Sequence, residues 1–122
     1  SWILGEWKTP KTKGKWGWYR VLDHQPETNF KIKELVIEPG ACLSDQRHFQ
    51  RSEHWYVLKG KVKMQTEWNN ISDTVELLPL TKGYDISVGT WHKASNPTDD
   101  LTHILEVQYG EACIEEDIER RD

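Results

Sequence analysis

Residues 30–38 carry the clearest pattern in the chain. Phe30, Ile32, Glu34 and Val36 share one parity, and Lys31, Lys33, Leu35 and Ile37 share the other. This alternation ends at Pro39-Gly40 and predicts a strand closed by a turn. A short strand is predicted before it at residues 16–23, with a loop at 24–29 that Pro26 breaks. Further strands are expected at residues 41–48, 53–58, 61–66, 74–80, 84–88 and 101–109. Lys59-Gly60, Lys82-Gly83 and residues 96–100 supply turns, and residues 68–72 read as a loop around Asn69-Asn70. The acidic residues 111–122 predict one helical turn or two. No longer stretch shows the 3.6 period, and no internal repeat is visible. Many short strands between regular turns predict an all-β barrel or sandwich.

A chain of 122 residues is long enough for one modest core and is expected to form a single domain behind an arm at residues 1–15. Trp2, Ile3, Leu4 and Trp7 make the start of that arm apolar, and residues 8–15 are basic and turn-rich. Two readings of the arm stand equally: packing on the outside of the barrel or on a partner subunit, or a frayed terminus. The chain has seven Trp, and most are expected in the core or at an interface. The net charge of −4 argues against a nucleic-acid partner. No apolar run has the length of a membrane span or of a signal-peptide core, so a cytoplasmic location is expected. Cys42 and Cys113 are far apart and outside any C-x-x-C pattern, which fits two free thiols in a reducing compartment.

Chemistry concentrates in residues 46–55. Side chains two apart in a strand point the same way, so Gln46 and His48 share a face. A turn through residues 49–52 would bring Glu53 alongside them, and a second hairpin could add His92. Two imidazoles, a carboxylate and an amide oxygen form a mixed N/O set for a divalent cation. His54 has the opposite parity to Glu53 and should point away, and Arg47 should lie on the surface.

The same residues carry a family resemblance. Gly40, Gln46, His48, Glu53 and Gly60 stand where the first cupin motif has Gly, His, His, Glu and Gly; Gly89, His92 and Asn96 match the second motif. Gln46, His48, Arg51, Glu53, His54 and Trp55 more closely resemble the Gln-x-His-x-x-Arg-x-Glu-His-Trp run of type II phosphomannose isomerases. In that family the cupin domain occurs alone or fused behind mannose-1-phosphate guanylyltransferase. The run from Trp16 to Asp23, the Glu106-Val107-Gln108-Tyr109-Gly110 stretch and the tail from Glu116 to Arg120 follow in the family's order. The resemblance spans about residues 16–122.

This resemblance implies a cupin double-stranded β-helix, a jelly-roll barrel over residues 16–122, with one metal held by Gln46, His48, Glu53 and His92. Zn²⁺ is the first choice, with Fe²⁺, Mn²⁺, Co²⁺ and Ni²⁺ as alternatives. It implies interconversion of mannose 6-phosphate and fructose 6-phosphate through an enediol. The phosphorylated hexose would be the substrate, and a homodimer is expected. Arg51 is the leading catalytic and substrate-binding candidate; its permanently charged guanidinium suits an enediolate or a phosphate. Lys33 is a candidate base or phosphate ligand if its face lines the barrel, against a pair of surface lysines at 31 and 33. Lys93 is a weaker candidate for phosphate. Phe49 and Gln50 replace histidines common in the family and make the mouth less basic. A guanylyltransferase domain does not fit in this length. The alternatives are a non-catalytic cupin that binds a sugar or sugar phosphate, and a metal-dependent cupin oxygenase, against which Gln46 argues.

Overall fold

The structure is a computed structural model and describes residues 9–25 and 29–122. The first part of the arm, with Trp2 and Trp7, lies outside the described residues. The described strands are β1 (Thr12–Gly14), β2 (Gly17–Gln25), β3 (Phe30–Ile37), β4 (Gln46–Arg47), β5 (Arg51–Lys59), β6 (Val62–Trp68), β7 (Ile71–Leu77), β8 (Tyr84–Ile86), β9 (Trp91–Ser95), β10 (Thr102–Gly110) and β11 (Glu119–Arg120). They form one sheet in the order β1-β2-β3-β10-β5-β8 and a second in the order β11-β4-β9-β6-β7. This is the predicted all-β jelly roll of a cupin.

The core lies between the sheets. Leu35 and Ile37 of β3, Trp55 and Val57 of β5, Ile86 of β8 and Ile104 of β10 come from the first sheet; Val62 and Met64 of β6 and Ala94 of β9 come from the second. Each large apolar side chain buried there stabilises the fold by roughly 1.5–3 kcal/mol. The pairing register stacks the inward residues in rows. Leu35, Ile104 and Val57 form one row, Lys33, Glu106 and Trp55 the next, and Lys31, Gln108 and Glu53 the third. The interior therefore changes from apolar to charged along the same strands. On the opposite face of β3, the buried Glu34 pairs with Arg20 at 3.3 Å and with His103 at 3.8 Å.

Tight turns set this register. Gly60 has a φ of 92°, and a Cβ there would meet Thr102 Oγ1 at 2.5 Å. Only glycine combines that conformation with such close approach. Asn96 is buried and its amide donates to the carbonyls of Ile37 and Asp100 at 2.9 and 2.7 Å, so its place in the second motif is structural.

Several expectations change. Residues 68–72 are a tight hairpin joining β6 to β7, because Asn69 and Asn70 both take positive φ, 52° and 63°. Asn reaches that region more easily than other side-chain-bearing residues, and such pairs suit two-residue hairpin turns. The strand expected at 74–80 is displaced accordingly, and Leu80 is exposed. The strand expected at 41–48 shrinks to β4 and an isolated bridge between Cys42 and Ser95. No helix forms at 111–122; this segment is a strap with a single turn at residues 115–116, and its β11 pairs with β4. Among the described Trp residues only Trp55 is buried, and Trp68 is 59% exposed. Cys42 and Cys113 are free, as expected. Among the described residues no helix is long and apolar enough to cross a membrane.

Candidate active site

The charged end of the interior is a cavity of about 210 Å³. Its walls include Lys33 of β3, Gln46 of β4, Arg51 and Glu53 of β5, and Glu106 and Gln108 of β10; Glu115, Ile118 and Arg120 of the strap border it.

Three of the four expected ligands converge closely. Ligand atoms of His48, Glu53 and His92 all lie within 4.8 Å of one another, and all three residues are buried. His48 Nε2 is 3.1 Å from Glu53 Oε2, and His92 Nε2 is 3.6 Å from Glu53 Oε1. Gln46 pairs with His92 across β4 and β9 and lines the same cavity. The outer ring nitrogens fix the inner ones. His48 Nδ1 donates to the Asp117 carbonyl at 2.7 Å, and His92 Nδ1 donates to the Thr90 carbonyl at 3.0 Å. A carbonyl can only accept, so Nδ1 of each ring carries a proton; a ring that gives up its Nε2 proton, now shared with Glu53, presents the Nε2 lone pair inward. Buried donors of this kind, oriented in this way, fit a divalent metal.

The strap holds the ligand loop. Asp117 accepts the backbone N–H of Phe49 and of Gln50, each at 2.9 Å, while its own carbonyl orients His48. Arg51 reaches inward: its Nε and one terminal nitrogen bond Glu53 Oε2 at 3.1 and 3.0 Å, and another terminal nitrogen donates to the Ile114 carbonyl at 3.1 Å. Trp55 Nε1 donates to Glu53 Oε1 at 3.0 Å. Burial alone would raise the Glu53 carboxyl, but hydrogen bonds from His48 and His92 and the charge of their rings hold it well below its ordinary value. Burial likewise works to lower His92, and the Glu53 carboxylate overcomes it and raises the ring.

Glu106 behaves in the opposite way. Burial, with the neighbouring charge of Glu53 added, pushes its carboxyl up from 4.5 to about 8. Its Oε1 accepts from Gln108 Nε2 at 2.8 Å. Neither residue figured among the site residues expected from sequence, although both share the parity of Ile104. Two polar residues on the inward parity of a strand that continues into the core were the available signal.

Lys33 does line the cavity, and Lys31 and Lys33 are both buried rather than on the surface. Lys93 is not brought to this cavity. It follows His92 with opposite parity, pairs with Asp122 at 3.1 Å and borders a separate cleft beside Asp45 and Arg121. Arg47 stacks over Phe49 and Trp91 and pairs with Glu119, outside the site as expected. His54 points outward to Asp85 at 3.0 Å.

Comparison with known proteins agrees with this geometry. A family model described as Mannose-6-phosphate isomerase C-terminal matches residues 8–122. The chain is 36% identical over 105 residues to the alginate biosynthesis protein AlgA of Pseudomonas fluorescens, covering 86% of this chain and 20% of that protein. It is 32% identical over 105 residues to a mannose-1-phosphate guanylyltransferase of Sinorhizobium fredii, covering 86% of this chain and 19% of the relative. The chain thus spans about a fifth of the length of these relatives. Among solved structures, the capsular polysaccharide assembling protein CapF of Staphylococcus aureus superposes with a TM-score of 0.79 at 16% identity, covering 96% of this chain and 33% of that one. Oxalate decarboxylase of Bacillus subtilis gives 0.78 at 15% identity, covering 93% and 30%. These two likenesses concern the fold alone. The family match extends over the strands that form the cavity and over the strap that closes it, and the chain belongs to the mannose-6-phosphate isomerase C-terminal family.

Proposed function

We propose that this domain is a metal-dependent aldose–ketose isomerase of a sugar phosphate, and that it interconverts mannose 6-phosphate and fructose 6-phosphate. The observation that carries the reading is the joint one: Glu53 belongs both to the buried His48–Glu53–His92 set and to the wall of a cavity that also presents Gln46, Arg51 and a further carboxyl, Glu106. Family membership supports the substrate class.

In this reading Gln46, His48, Glu53 and His92 would hold the metal, with Zn²⁺ the first choice, and a divalent ion there would supply Lewis-acid stabilisation of negative charge developing on the sugar. The protein must then relocate two protons. One leaves C2, the C–H electron pair forms the C1–C2 double bond, and the C1 oxygen takes up a proton to give the enediol. Return of the first proton to C1 and loss of the C2 hydroxyl proton, which replaces the one taken up at the C1 oxygen, give the ketose. Glu106 is the proton carrier, because it is a cavity-wall carboxyl left over once Glu53 serves as a ligand. Arg51 stabilises negative charge on the enediolate oxygen and cannot itself be the base. Lys33 acts through its charge; its ammonium pairs with Glu115 at 2.7 Å.

The test is fructose 6-phosphate formation from mannose 6-phosphate by the protein reconstituted with each candidate metal, with Arg51→Ala alongside. Turnover is expected, and Arg51→Ala should lower kcat by about 10²-fold. The reading fails if no turnover occurs with Zn²⁺, Fe²⁺, Mn²⁺, Co²⁺ or Ni²⁺.

A further inference from the structure

Lys31 and Lys33 lie on the inward face of β3, with side chains only 9% and 7% exposed. Both ammonium groups converge on one atom, Glu115 Oε1, at 3.3 and 2.7 Å. Glu115 belongs to the strap and is 53% exposed. Two buried cations therefore share one carboxylate that stands half in water. Buried ammonium groups need close compensation, and a singly charged carboxylate supplies only part of it. The lysines are also fixed in place. Lys33 Nζ sits 4.3 Å from the centre of the Tyr19 ring, and Gln108 and Glu106 face Lys31 and Lys33 across the strand pair. Glu115 has solvent beside it, whereas both lysine side chains are more than nine-tenths buried.

We propose that Lys31 and Lys33 form the anion subsite that takes the phosphate of the sugar phosphate, and that Glu115 is a built-in carboxylate occupying it until the phosphate arrives. This deepens the isomerase reading and rests on it for the identity of the sugar. A phosphate dianion matches the two ammonium charges where one carboxylate does not. It also brings several acceptor oxygens to donors that now share a single one. Glu115 and Lys33 border the cavity, so a phosphate held there tethers a sugar whose reacting carbons extend towards Arg51, Glu53 and Glu106. Displacing Glu115 couples substrate entry to release of the strap at that point.

The experiment is calorimetric titration with inorganic phosphate, mannose 6-phosphate and mannose, on metal-loaded and on chelator-treated protein. Wild type, Glu115→Gln, Lys31→Met and Lys33→Met are compared, with thermal melts to establish that each variant is folded. Glu115→Gln removes the competing charge and should tighten both phosphate ligands about tenfold while leaving mannose unchanged. Each lysine variant should weaken both phosphate ligands about tenfold or more. Phosphate binding that persists after chelation assigns the anion to the lysines rather than to the metal. Phosphate affinity that is unchanged or weaker in Glu115→Gln overturns the proposal, as does binding that disappears on chelation. Should a lysine variant not fold, Glu115→Gln on its exposed strap decides the matter. The two readings fail separately: Glu115-sensitive phosphate binding without turnover contradicts the isomerase, whereas turnover with an unchanged KM in Glu115→Gln contradicts the subsite.

Discussion

The two ends of the barrel interior are built on the same strands and obey opposite rules. At one end Leu35, Val57, Ile104, Val62 and Met64 pack as an apolar core. Two or four residues further along β3, β5 and β10, on the same inward faces, stand Lys33, Glu53, Glu106, Lys31 and Gln108. The apolar end needs only shape and volume. At the charged end every buried group must find a partner, and the partners come from distant segments: Glu53 with His48, His92 and Arg51, and the β3 lysines with the strap. Buried charge of this density costs stability unless it is paired. One end stabilises the fold, and the other uses the frame so provided to hold groups that would otherwise prefer water.

Substitutions at the two ends should therefore differ in kind. Ile104→Ala removes a fully buried side chain at the apolar end. It should cost about 3 kcal/mol and lower Tm by roughly 10 °C in thermal denaturation, while metal affinity per folded molecule is unchanged. Asp117→Asn should act at the charged end. It weakens the clasp on the N–H groups of Phe49 and Gln50, and with it the seat of His48. The expected cost is about 2 kcal/mol, with metal affinity falling about tenfold in a competitive chelator titration.

Glu106 sharpens the contrast through pH. Its folded-state value of about 8 lies above its ordinary 4.5, so the neutral carboxyl is the form that folding favours. That contribution is complete below about 4.5 and is lost as pH rises towards 8. Glu106→Gln keeps a neutral group there at every pH. In chelator-treated protein its Tm relative to wild type should rise between pH 5 and 8 and then level off. A difference that does not vary with pH would remove Glu106 from the set of buried charges. The smallest effect is expected at Lys93, whose ammonium is outside the cavity beside Asp122. Lys93→Ala should change stability by less than about 0.5 kcal/mol and leave zinc affinity unchanged.

How far the sequence could be read follows the same division. Alternation in residues 30–38 is local, so strand parity gave β3; grouping Gln46 and His48 with Glu53 needed a turn at residues 49–52 as well. His92 was legible because the second motif's spacing places it on a neighbouring hairpin. The pairing of Lys31 and Lys33 with Glu115 joins segments more than eighty residues apart, and no local rule gives it. Burial of Glu106 and Gln108 depends on the register of β10 between β3 and β5, which only the folded sheet fixes. The strap was misread as helical because its composition is acidic and without alternation. Its extended path is set by contacts with β4 and with the His48 loop. Asn69-Asn70 was readable as part of a loop but not as a tight hairpin, because both residues had to adopt left-handed backbone together.

Zinc titration of chelator-treated protein, followed by calorimetry, tests the central claim most directly: the charged end is a single metal-holding site rather than a self-neutralised ion cluster. Wild type is predicted to bind one equivalent per chain, with protons released as the imidazoles and Glu53 give up their shared hydrogen bonds. His48→Ala, folded by its melt, is predicted to bind at least a hundredfold more weakly. Equal zinc affinity in wild type and His48→Ala, or no zinc bound by wild type, would contradict the account.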